Sequence, residues 1–520
     1  MAEAQERGIT VSEIAPMDQP IGVDPETTAA FIGRAPCGPI DTPVLVTGLN
    51  DFHRRFGRTG PHARLADAVV QFFAHGGRRA YVVRVANNAR GAMLCLPASP
   101  GVLVLRGTEP GSAERIRAAV DYDRIPADDR EHFNLTLQRL APDTGLVVDQ
   151  EIHLRLSCNP DDRGYVGTAL AASGIARPQR PLPAGRPLLT GSGNPLDPGY
   201  VEPAQPGSDG SDLTDYDLVG CAHRGTGLFA LEQVERFDFL YLPPRAADRQ
   251  PGPAALVAAM LYCRRRGAML VMDPAREWTS PREAIEGVRG AGFASPDVLT
   301  CFPGLVDRDT GAPRAAGAAL AGLLCRHDRQ LGAWESIDGS LLGFDRRLAP
   351  ALTLTTGEAR RLVKAGFNVV TVAAGGRATL AGSVTLACNT HLPADFASLH
   401  VRRLCLSMTA AIERATRWAV FEPDGTRLAM RIRSQIHAYL AWLAASGALA
   451  DERFSVFCDA ALHAGRREPR RGVTILLSFH PAGAAERLSL TLHQTPSGCR
   501  VTTSAFPPAT DAGVGQTGGP

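Results

Sequence analysis

The chain has 520 residues, with 55 basic and 53 acidic side chains and a formal net charge of +2. At about 100–200 residues per domain, this length predicts two to four domains, and the 44% of hydrophobic residues supply ample material for globular cores. The balanced charge argues against a nucleic-acid-binding protein, which normally carries a clear excess of basic residues.

The cysteines and the apolar segments indicate where such a chain resides. Its eleven cysteines are scattered and form no CxxC pair, which predicts buried thiols in a reducing compartment rather than a disulfide framework or a zinc site. The first residues, MAEAQERGITVSEI, are polar and charged and do not resemble a signal peptide. Because no run of about 18 apolar residues occurs, we expect a cytoplasmic protein without direct membrane insertion.

The chain begins with an extended arm and continues with alternating strands and helices. Residues 7–24, RGITVSEIAPMDQPIGVD, join a short alternating strand to a Pro-rich stretch, which predicts either a strand that adds to a sheet edge or a frayed terminus. Residues 27–86 predict strand, turn, strand, helix and strand, with Leu65, Val69, Phe72 and Phe73 at helical spacing. The strand RAYVVRVA has a nearly continuous apolar core, as is typical of a central strand covered on both faces.

Three regions that differ in composition and predicted secondary structure follow. Residues 87–185 contain short strands such as GVLVLRG and LTLQRLAP, which predict a β-rich insertion, and residues 186–216 form a Gly/Pro/Ser/Asp linker. From residue 237, the segments FDFLYLPP, PAALVAAMLYCRRRG and AMLVMDPA predict a βαβ unit. The region after residue 389 predicts helices at 398–416 and 425–446, the strands WAVFE and RFSVFCD, and two closing strands, GVTILLSF and RLSLTLHQT.

No motif predicts a catalytic, metal or cofactor site. Gly33 follows a buried strand, as in a phosphate-binding loop, but Pro36 and Pro39 follow it instead of a helix N-terminus. Asp273 ends a strand of the βαβ unit, where catalytic carboxylates often lie, but it has no evident acid–base partner. Turn formation and helix capping explain the remaining acidic cluster better than calcium binding. Its members are Asp209, Asp212, Asp215 and Asp217.

Several segments, taken in order, resemble the contractile tail sheath family, which includes phage tail sheaths and the sheaths of related injection systems. RGITVSEI is similar to the family's N-terminal strand, and TTAAFIGRAPCGPIDTPVLVTGLNDFHRRFG and LADAVVQFFAHGGRRAYVVRV resemble its first core segments. YCRRRGAMLVMDPA resembles a later core segment. HVRRLCLSMTAAIERATRWAVFEPDGTRLAMRIRSQIHAYLAWLAASGAL and the strands after it resemble the C-terminal part of the family.

The resemblance implies an α/β (α+β) multidomain sheath fold with a mixed α/β core, a β-rich inserted domain and strand-like terminal arms. The implied parts are an N-terminal arm (1–26), an α/β sheath domain (27–86 plus 217–389), the inserted domain with its linker (87–216), a C-terminal sheath domain (390–505) and a flexible tail (506–520).

The resemblance also implies a structural subunit, not an enzyme, that polymerises as stacked hexameric rings around an inner tube. Contraction of the polymer, powered by assembly energy, drives the tube through a target envelope. The implied partners are further copies of the chain, the inner tube protein, and baseplate and terminator proteins, without nucleic acid. Assembly in the cytoplasm into a phage tail or tail-like particle follows. Departures from the family pattern at DRQLGAWESIDGSLLG and RATLAGSVTL leave open a specialised paralogue or an adaptor near the baseplate or terminator.

Two sets of residues are implied to make the contacts between proteins. The first exchanges strands between subunits, because its members alternate along strands at the two ends of the chain. These residues are Ile9, Val11, Ile14, Val473, Ile475, Leu477, Leu488, Leu490 and Leu492. The second set, Arg427, Arg431 and Arg433, lies on a charged helix that either contacts the inner tube or faces solvent.

Overall fold

The structure is a computed structural model, and the part of the chain that it describes is extensive. It comprises residues 20–22, 26–57, 64–142, 144–191, 199–246, 249–292, 294–337, 343–387, 394–421, 426–458, 472–495 and 498–503. The predicted strand-exchange residues Ile9, Val11 and Ile14 and the predicted tail at 506–520 lie outside the described residues.

The helices and strands follow one another in the order expected for interleaved α/β and β-rich regions. The helices are α1 (Leu49–Phe56), α2 (Arg64–Ala74), α3 (Val166–Ala169), α4 (Asp215–Val219), α5 (Pro253–Arg266), α6 (Pro281–Ala291), α7 (Ala316–Leu331), α8 (Thr356–Lys364), α9 (Leu399–Thr416) and α10 (Thr426–Ala445). Short 3₁₀ helices occupy Gly227–Gln233, Ala394–Ala397 and Arg417–Phe421.

The strands of the described residues fall into five sheets, of which one is much larger than the others. They are β1 (Ala29–Gly33), β2 (Val44–Val46), β3 (Ala80–Arg84), β4 (Met93–Pro97), β5 (Val102–Gly107), β6 (Arg115–Asp121), β7 (His132–Leu140), β8 (Val147–Ser157), β9 (Ala176–Pro178), β10 (Phe239–Tyr241), β11 (Met269–Met272), β12 (Val298–Phe302), β13 (Leu305–Asp307), β14 (Pro313–Arg314), β15 (Leu348–Pro350), β16 (Asn368–Val372), β17 (Ala378–Ala381), β18 (Ser455–Phe457), β19 (Val473–Phe479), β20 (Leu488–Thr495) and β21 (Gly498–Thr503).

The largest sheet has the order β17-β16-β12-β11-β10-β1-β3-β2. Its six inner strands run parallel to one another, and β2 and β17 run antiparallel at the two edges. Parallel neighbours need long crossover connections, which the helices between these strands provide. The α/β class expected from the sequence is therefore confirmed.

Strand β1 contributes to a separate hydrophobic core on each face of this sheet. Ala29 and Phe31 pack with residues of α2 and α7, whereas Ala30 and Ile32 pack with residues of α5, α6 and α8. The small residues of α7 allow a close approach to α2, because a Cβ atom at Gly322 would lie only 2.3 Å from the carbonyl oxygen of Phe72. This sheet and its two helical layers hold β1 fully buried.

Local sequence explains where the helices of these layers begin and end. Helix α5 starts with Pro253 and ends before Gly267, which adopts a left-handed conformation with φ of 65°. Helix α6 has a capping box, in which Ser280 accepts a hydrogen bond from the backbone N–H of Glu283 and the Glu283 carboxylate accepts one from the backbone of Ser280. These signals are visible in the sequence and fix the helix ends.

The region between β3 and α4 contains two small antiparallel sheets, β4-β5-β9 and β6-β7-β8, around a core of its own. The segment predicted to be a linker folds back onto this region. Its backbone forms hydrogen bonds with the backbone of β4, between Gln205 and Met93. It also forms hydrogen bonds with the loop before β4, between Ser208 and Arg90. The second half of the linker is therefore part of the packed structure.

The last region packs α9 and α10 against a sheet of order β18-β19-β20-β21. Ile21 belongs to this core and is only 8% exposed, although it comes from the other end of the chain. The prediction of a strand at WAVFE is wrong, because Arg417–Phe421 forms a 3₁₀ helix directly after α9. Burial of Ala419 in this core outweighs the strand preference of the segment.

Candidate assembly interface

The loop after β1 encloses a buried arginine and does not form an anion site. Arg84, at the end of β3, is 1% exposed and donates hydrogen bonds to the carbonyl oxygens of Ala35 at 2.9 Å, Gly38 at 2.6 Å and Pro36 at 3.5 Å. Phosphate loops present backbone N–H groups to their ligand, whereas this loop presents carbonyl oxygens to a cation. The glycine and the prolines therefore shape a structural turn.

Asp273, the strand-end carboxylate noted in the sequence, caps a helix. Its oxygens accept hydrogen bonds from the Tyr241 hydroxyl at 2.5 Å and from the backbone N–H of Gly317, in the first turn of α7, at 2.6 Å. Burial raises the pKa of Asp273 to about 6, although both hydrogen bonds lower it. The residue before α7 is Ala315, which provides no side-chain cap, so Asp273 supplies this group from a neighbouring strand.

The acidic cluster of the linker also has structural roles. Asp217 forms a capping box with Thr214 at the start of α4, and Asp215 accepts a hydrogen bond of 2.9 Å from the N–H of Gly252, before α5. Asp209 accepts two hydrogen bonds from Ser112. Among the described residues, no group of His, Cys, Asp and Glu side chains is arranged to hold a metal ion, and no helix is long and apolar enough to cross a membrane.

Two aspartates bind Thr27 and Thr28, which directly follow the predicted N-terminal arm and are called the arm root below. The Thr27 hydroxyl donates to Asp328 Oδ2 at 2.5 Å, and the Thr28 N–H donates to Asp238 Oδ2 at 2.8 Å. Asp328 lies on α7 and also forms an ion pair with Arg403 of α9, with side chains that are 4% and 7% exposed. The same carboxylate therefore joins the arm root, the large sheet's helical layer and the C-terminal region.

The environment keeps the carboxyl group of Asp328 ionised. Burial on its own raises the pKa of Asp328, but the positive charge of Arg403 and hydrogen bonds from His327, Arg403 and Thr27 hold it below its ordinary value of 3.8. A buried charge is retained only when it is paired in this way. The anchor is thus an ion pair throughout the neutral pH range.

The predicted strand-exchange residues of the C-terminal region line the core. Residues Val473, Ile475, Leu477, Leu488, Leu490 and Leu492 are all less than 9% exposed. Strand β20 is paired on both sides, with β19 and β21, whereas β18 covers only residues 476–478 of β19. Within the described part of this sheet, the positions without a strand partner are the outer sides of β18 and β21 and residues 473–475 on the β18 side of β19.

The three predicted tube-contact arginines do not share one environment. Arg427 and Arg433 are exposed on α10, close to Met430, whose side chain is 52% exposed. Arg431 is half-buried, with its guanidinium carbon 5.7 Å from the centre of the Trp418 ring. The side chains of Arg427 and Arg433 are accessible at the surface, whereas the guanidinium of Arg431 lies over a tryptophan ring in a cation–π arrangement.

The junction between the inserted region and the large sheet contains a buried glutamate. Glu114 is 6% exposed, and its carboxylate accepts hydrogen bonds from the N–H groups of Glu109 at 3.1 Å and Ala92 at 3.4 Å. Arg139 lies 4.0 Å away. Burial raises the pKa of Glu114 to about 7, although the hydrogen bonds and Arg139 lower it.

This glutamate makes stability depend on pH. A carboxyl group whose pKa is higher in the folded than in the unfolded protein stabilises most below its unfolded value of 4.5, and this contribution is lost as the pH rises through about 7. We expect about 3 kcal/mol to be lost between pH 4.5 and 8. The raised pKa of Asp273 also makes stability fall as the pH rises. The contribution of Glu114 is therefore measured as the difference in the pH dependence of the free energy of unfolding between the wild type and Glu114→Gln, determined by urea unfolding. Equal pH slopes for both proteins would contradict the assignment.

The arm-root anchor was not predicted from the sequence. Thr27 and Asp328 are 301 positions apart and Asp328 and Arg403 are 75 apart, so no local pattern connects them. The one available signal is a charged residue inside each of two otherwise apolar helix faces, at Asp328 in LLCRHDRQL and Arg403 in HVRRLCL. Such positions are rarely buried unless they are paired.

The fold of the chain is that of the contractile sheath proteins. It superposes on the sheath tail protein Lin1278 from Listeria innocua with a TM-score of 0.62 and 14% identity, over 91% of this chain and 95% of that one. The sheath tail protein DSY3957 from Desulfitobacterium hafniense gives 0.56 and 14%, over 94% and 100%. The contracted helical sheath of the anti-feeding prophage gives 0.54 and 15%, over 93% and 98%. No protein-family model and no curated protein matches the sequence itself.

Proposed function

We propose that the chain is the subunit of a contractile sheath, which polymerises as stacked hexameric rings around an inner tube and contracts to drive that tube through a target envelope. The observation that carries the proposal is the likeness of more than nine-tenths of the chain to sheath proteins, including one in a contracted assembly. Contraction that buries further apolar surface releases about 25 cal/mol per Å². Summed over many subunits, this energy replaces ATP hydrolysis, and the protein needs no catalytic site.

The terminal arms link the subunits in this proposal. The segment around Ile9 and Val11 adds as a strand to the C-terminal sheet of a neighbour, at the outer side of β18 or β21. Within the subunit, Thr27, Asp328 and Arg403 connect the arm root to the C-terminal region. Tension on the arm therefore reaches the sheet that receives the arm of the next subunit.

Electron microscopy of the purified chain, in negative stain and with or without its tube protein, tests the function. Long tubes that shorten on contraction support a sheath. Single rings or monomers, in the presence of the tube protein, would instead establish the adaptor or paralogue near the baseplate or terminator. Departures from the family pattern around residues 328–343 and 377–386 are the feature that favours this second candidate.

The contact with the tube is assigned to Arg427 and Arg433, because both are exposed on the same helix and no acidic residue lies on α10. Reversing both charges, Arg427→Glu with Arg433→Glu, is expected to weaken co-sedimentation with the tube protein about tenfold or more. Folding is expected to be unaffected, because both side chains lie at the surface.

The matched control is Arg264→Glu with Arg289→Glu, which makes the same change of charge on exposed positions of α5 and α6. It should leave tube binding unchanged. Equal loss in both double variants would show that net charge, and not α10, governs the contact.

A further inference from the structure

A cavity of about 370 Å³, the tryptophan cavity, lies between the large sheet and the C-terminal region, beside the arm root. Its volume is within the range of about 300–1,000 Å³ that is typical of ligand sites. Thr27 lines it, together with apolar side chains from the first residues of β10 and β11, from α9 and α10, and from the segment after α7. Among these side chains are Phe239, Met269, Trp334, Leu406 and Trp442.

Aromatic rings form one wall of the tryptophan cavity. Trp334 and Trp442 meet edge to face with 6.0 Å between ring centroids, and Trp442 is 44% exposed. The Nε1 atom of Trp334 is buried and has no hydrogen-bond partner in the described chain, although buried tryptophan N–H groups usually have one. Aromatic-lined grooves bind extended, proline-containing segments, whose backbone carbonyls can accept such a donor.

The charge that the chain leaves uncompensated in this cavity is positive. Arg329 forms no ion pair with the described residues, and its guanidinium donates only to the Gly76 carbonyl, at 3.0 Å. The other charged side chains that line the cavity are all paired within the chain. The pairs are Asp238 with Arg236, Asp328 with Arg403, and Glu26 with Arg79. The cavity therefore favours an apolar segment that carries one acidic residue.

The N-terminal arm has such a segment directly before the point where the described chain begins. Ile21 lies in the core of the C-terminal region, against which Trp334 also packs. The preceding sequence, residues 15–20, is APMDQP, and its two prolines favour an extended backbone in the residues before them. Met17 is four positions before Ile21, a reach of about 13–14 Å. A methionine packs well against aromatic rings, and Asp18 supplies the acidic group.

We propose that residues 16–18 of the chain's own N-terminal arm occupy the tryptophan cavity, with Met17 against the two tryptophan rings and Asp18 beside Arg329. The short connection to Ile21 gives the segment a high effective concentration at its own cavity, which favours it over the arm of a second copy. The contact fixes the place at which residues 1–15 leave the subunit. It lies within one subunit and therefore does not depend on the proposed sheath function.

An intramolecular cross-link tests the contact in the full chain. Gln330 lines the cavity at an exposed position of α7, so Met17→Cys with Gln330→Cys should form a disulfide within one monomer under mild oxidation. The matched control is Met17→Cys with Glu286→Cys, since Glu286 is 60% exposed on α6, on the opposite face of the large sheet. Mass spectrometry after alkylation of the soluble fraction measures the yield, and the wild type gives the background from native thiols.

The disulfide is expected for the Gln330 variant alone. Absence of the cross-link, or an equal yield in the control, would overturn the proposal. A covalent dimer in place of the cross-linked monomer would also overturn it, because the arm of a second copy would then be the occupant.

A charge change in the arm gives an independent readout. Added to the Gln330 variant, Asp18→Lys should lower the rate of disulfide formation about fivefold or more, because lysine would lie beside Arg329. Glu13→Lys makes the same change of charge outside the docked segment and should leave the rate unchanged. Equal rates with the two substitutions would overturn the placement of Asp18 beside Arg329.

Discussion

Deletion of residues 1–19 is expected to abolish polymerisation and to leave a soluble, folded monomer. In the proposed assembly, the segment around Ile9 and Val11 supplies a strand to a neighbour, so a chain without it has nothing to link one subunit to the next. The deletion ends before Pro20 because Ile21 is buried in the subunit's own C-terminal core. Pelleting and negative-stain microscopy measure the polymer, and circular dichroism checks the fold.

A pair of substitutions separates strand donation from other effects of the deletion. Ile9→Pro with Val11→Pro removes two backbone donors from the arm and should also prevent tube formation. Thr10→Ala with Ser12→Ala retains every backbone N–H and should polymerise like the wild type. If the shortened chain or the proline variant still forms long tubes, the arm does not hold the subunits together.

Replacement of Asp328 by alanine is expected to lower the free energy of unfolding by about 3–5 kcal/mol. The variant leaves the guanidinium of Arg403 buried without its carboxylate and removes the acceptor of the Thr27 hydroxyl. Because the pKa of Asp328 lies below 3.8, its contribution is fully present above that value and is lost as the pH falls through the lower, folded-state pKa. Urea unfolding at pH 7, followed by tryptophan fluorescence, therefore measures the whole effect.

Two control proteins identify the cause of that loss. Glu286→Ala breaks an ion pair of 2.8 Å with Arg282 whose side chains are 60% and 86% exposed, and it should cost less than about 0.5 kcal/mol. Asp328→Leu with Arg403→Met replaces both buried charges by apolar groups and should cost less than Asp328→Ala alone. An Asp328→Ala protein as stable as the Glu286→Ala protein would rule out the anchor.

Much of the fold follows from local patterns. The spacing of Phe52 and Phe56 predicts a short helix with one buried face, and in the structure both rings are fully buried and stacked at 5.4 Å between centroids. The turn after β1 needs a glycine for a different reason, since a Cβ at Gly33 would lie 2.8 Å from the side chain of Pro243, which is distant in the sequence. The helix depends on residues that are neighbours in the sequence. The turn depends on glycine, because any larger side chain would clash at that position.

The order of strands and the distant pairs could not be predicted in the same way. Alternation along residues 473–479 and 488–495 shows which face of each strand is buried, but it contains no information about which edge is occupied. The pairing of Asp328 with Arg403 depends on how α7 and α9 cross, which only the folded chain determines. For the same reason, Asp273 looked unpartnered until β10 and α7 were placed beside it.

The position of β1 in the large sheet has a mechanical consequence. The strand that follows the arm root lies between β10 and β3, with three residues in register on one side and five on the other. In the proposed assembly, a pull on the arm along the strand axis would shear both rows of hydrogen bonds together, so that they share the load. A strand at the edge of a sheet would instead open one bond at a time. The load would therefore enter the subunit through an inner strand of its largest sheet, and we expect the chain around this strand to unfold last under load.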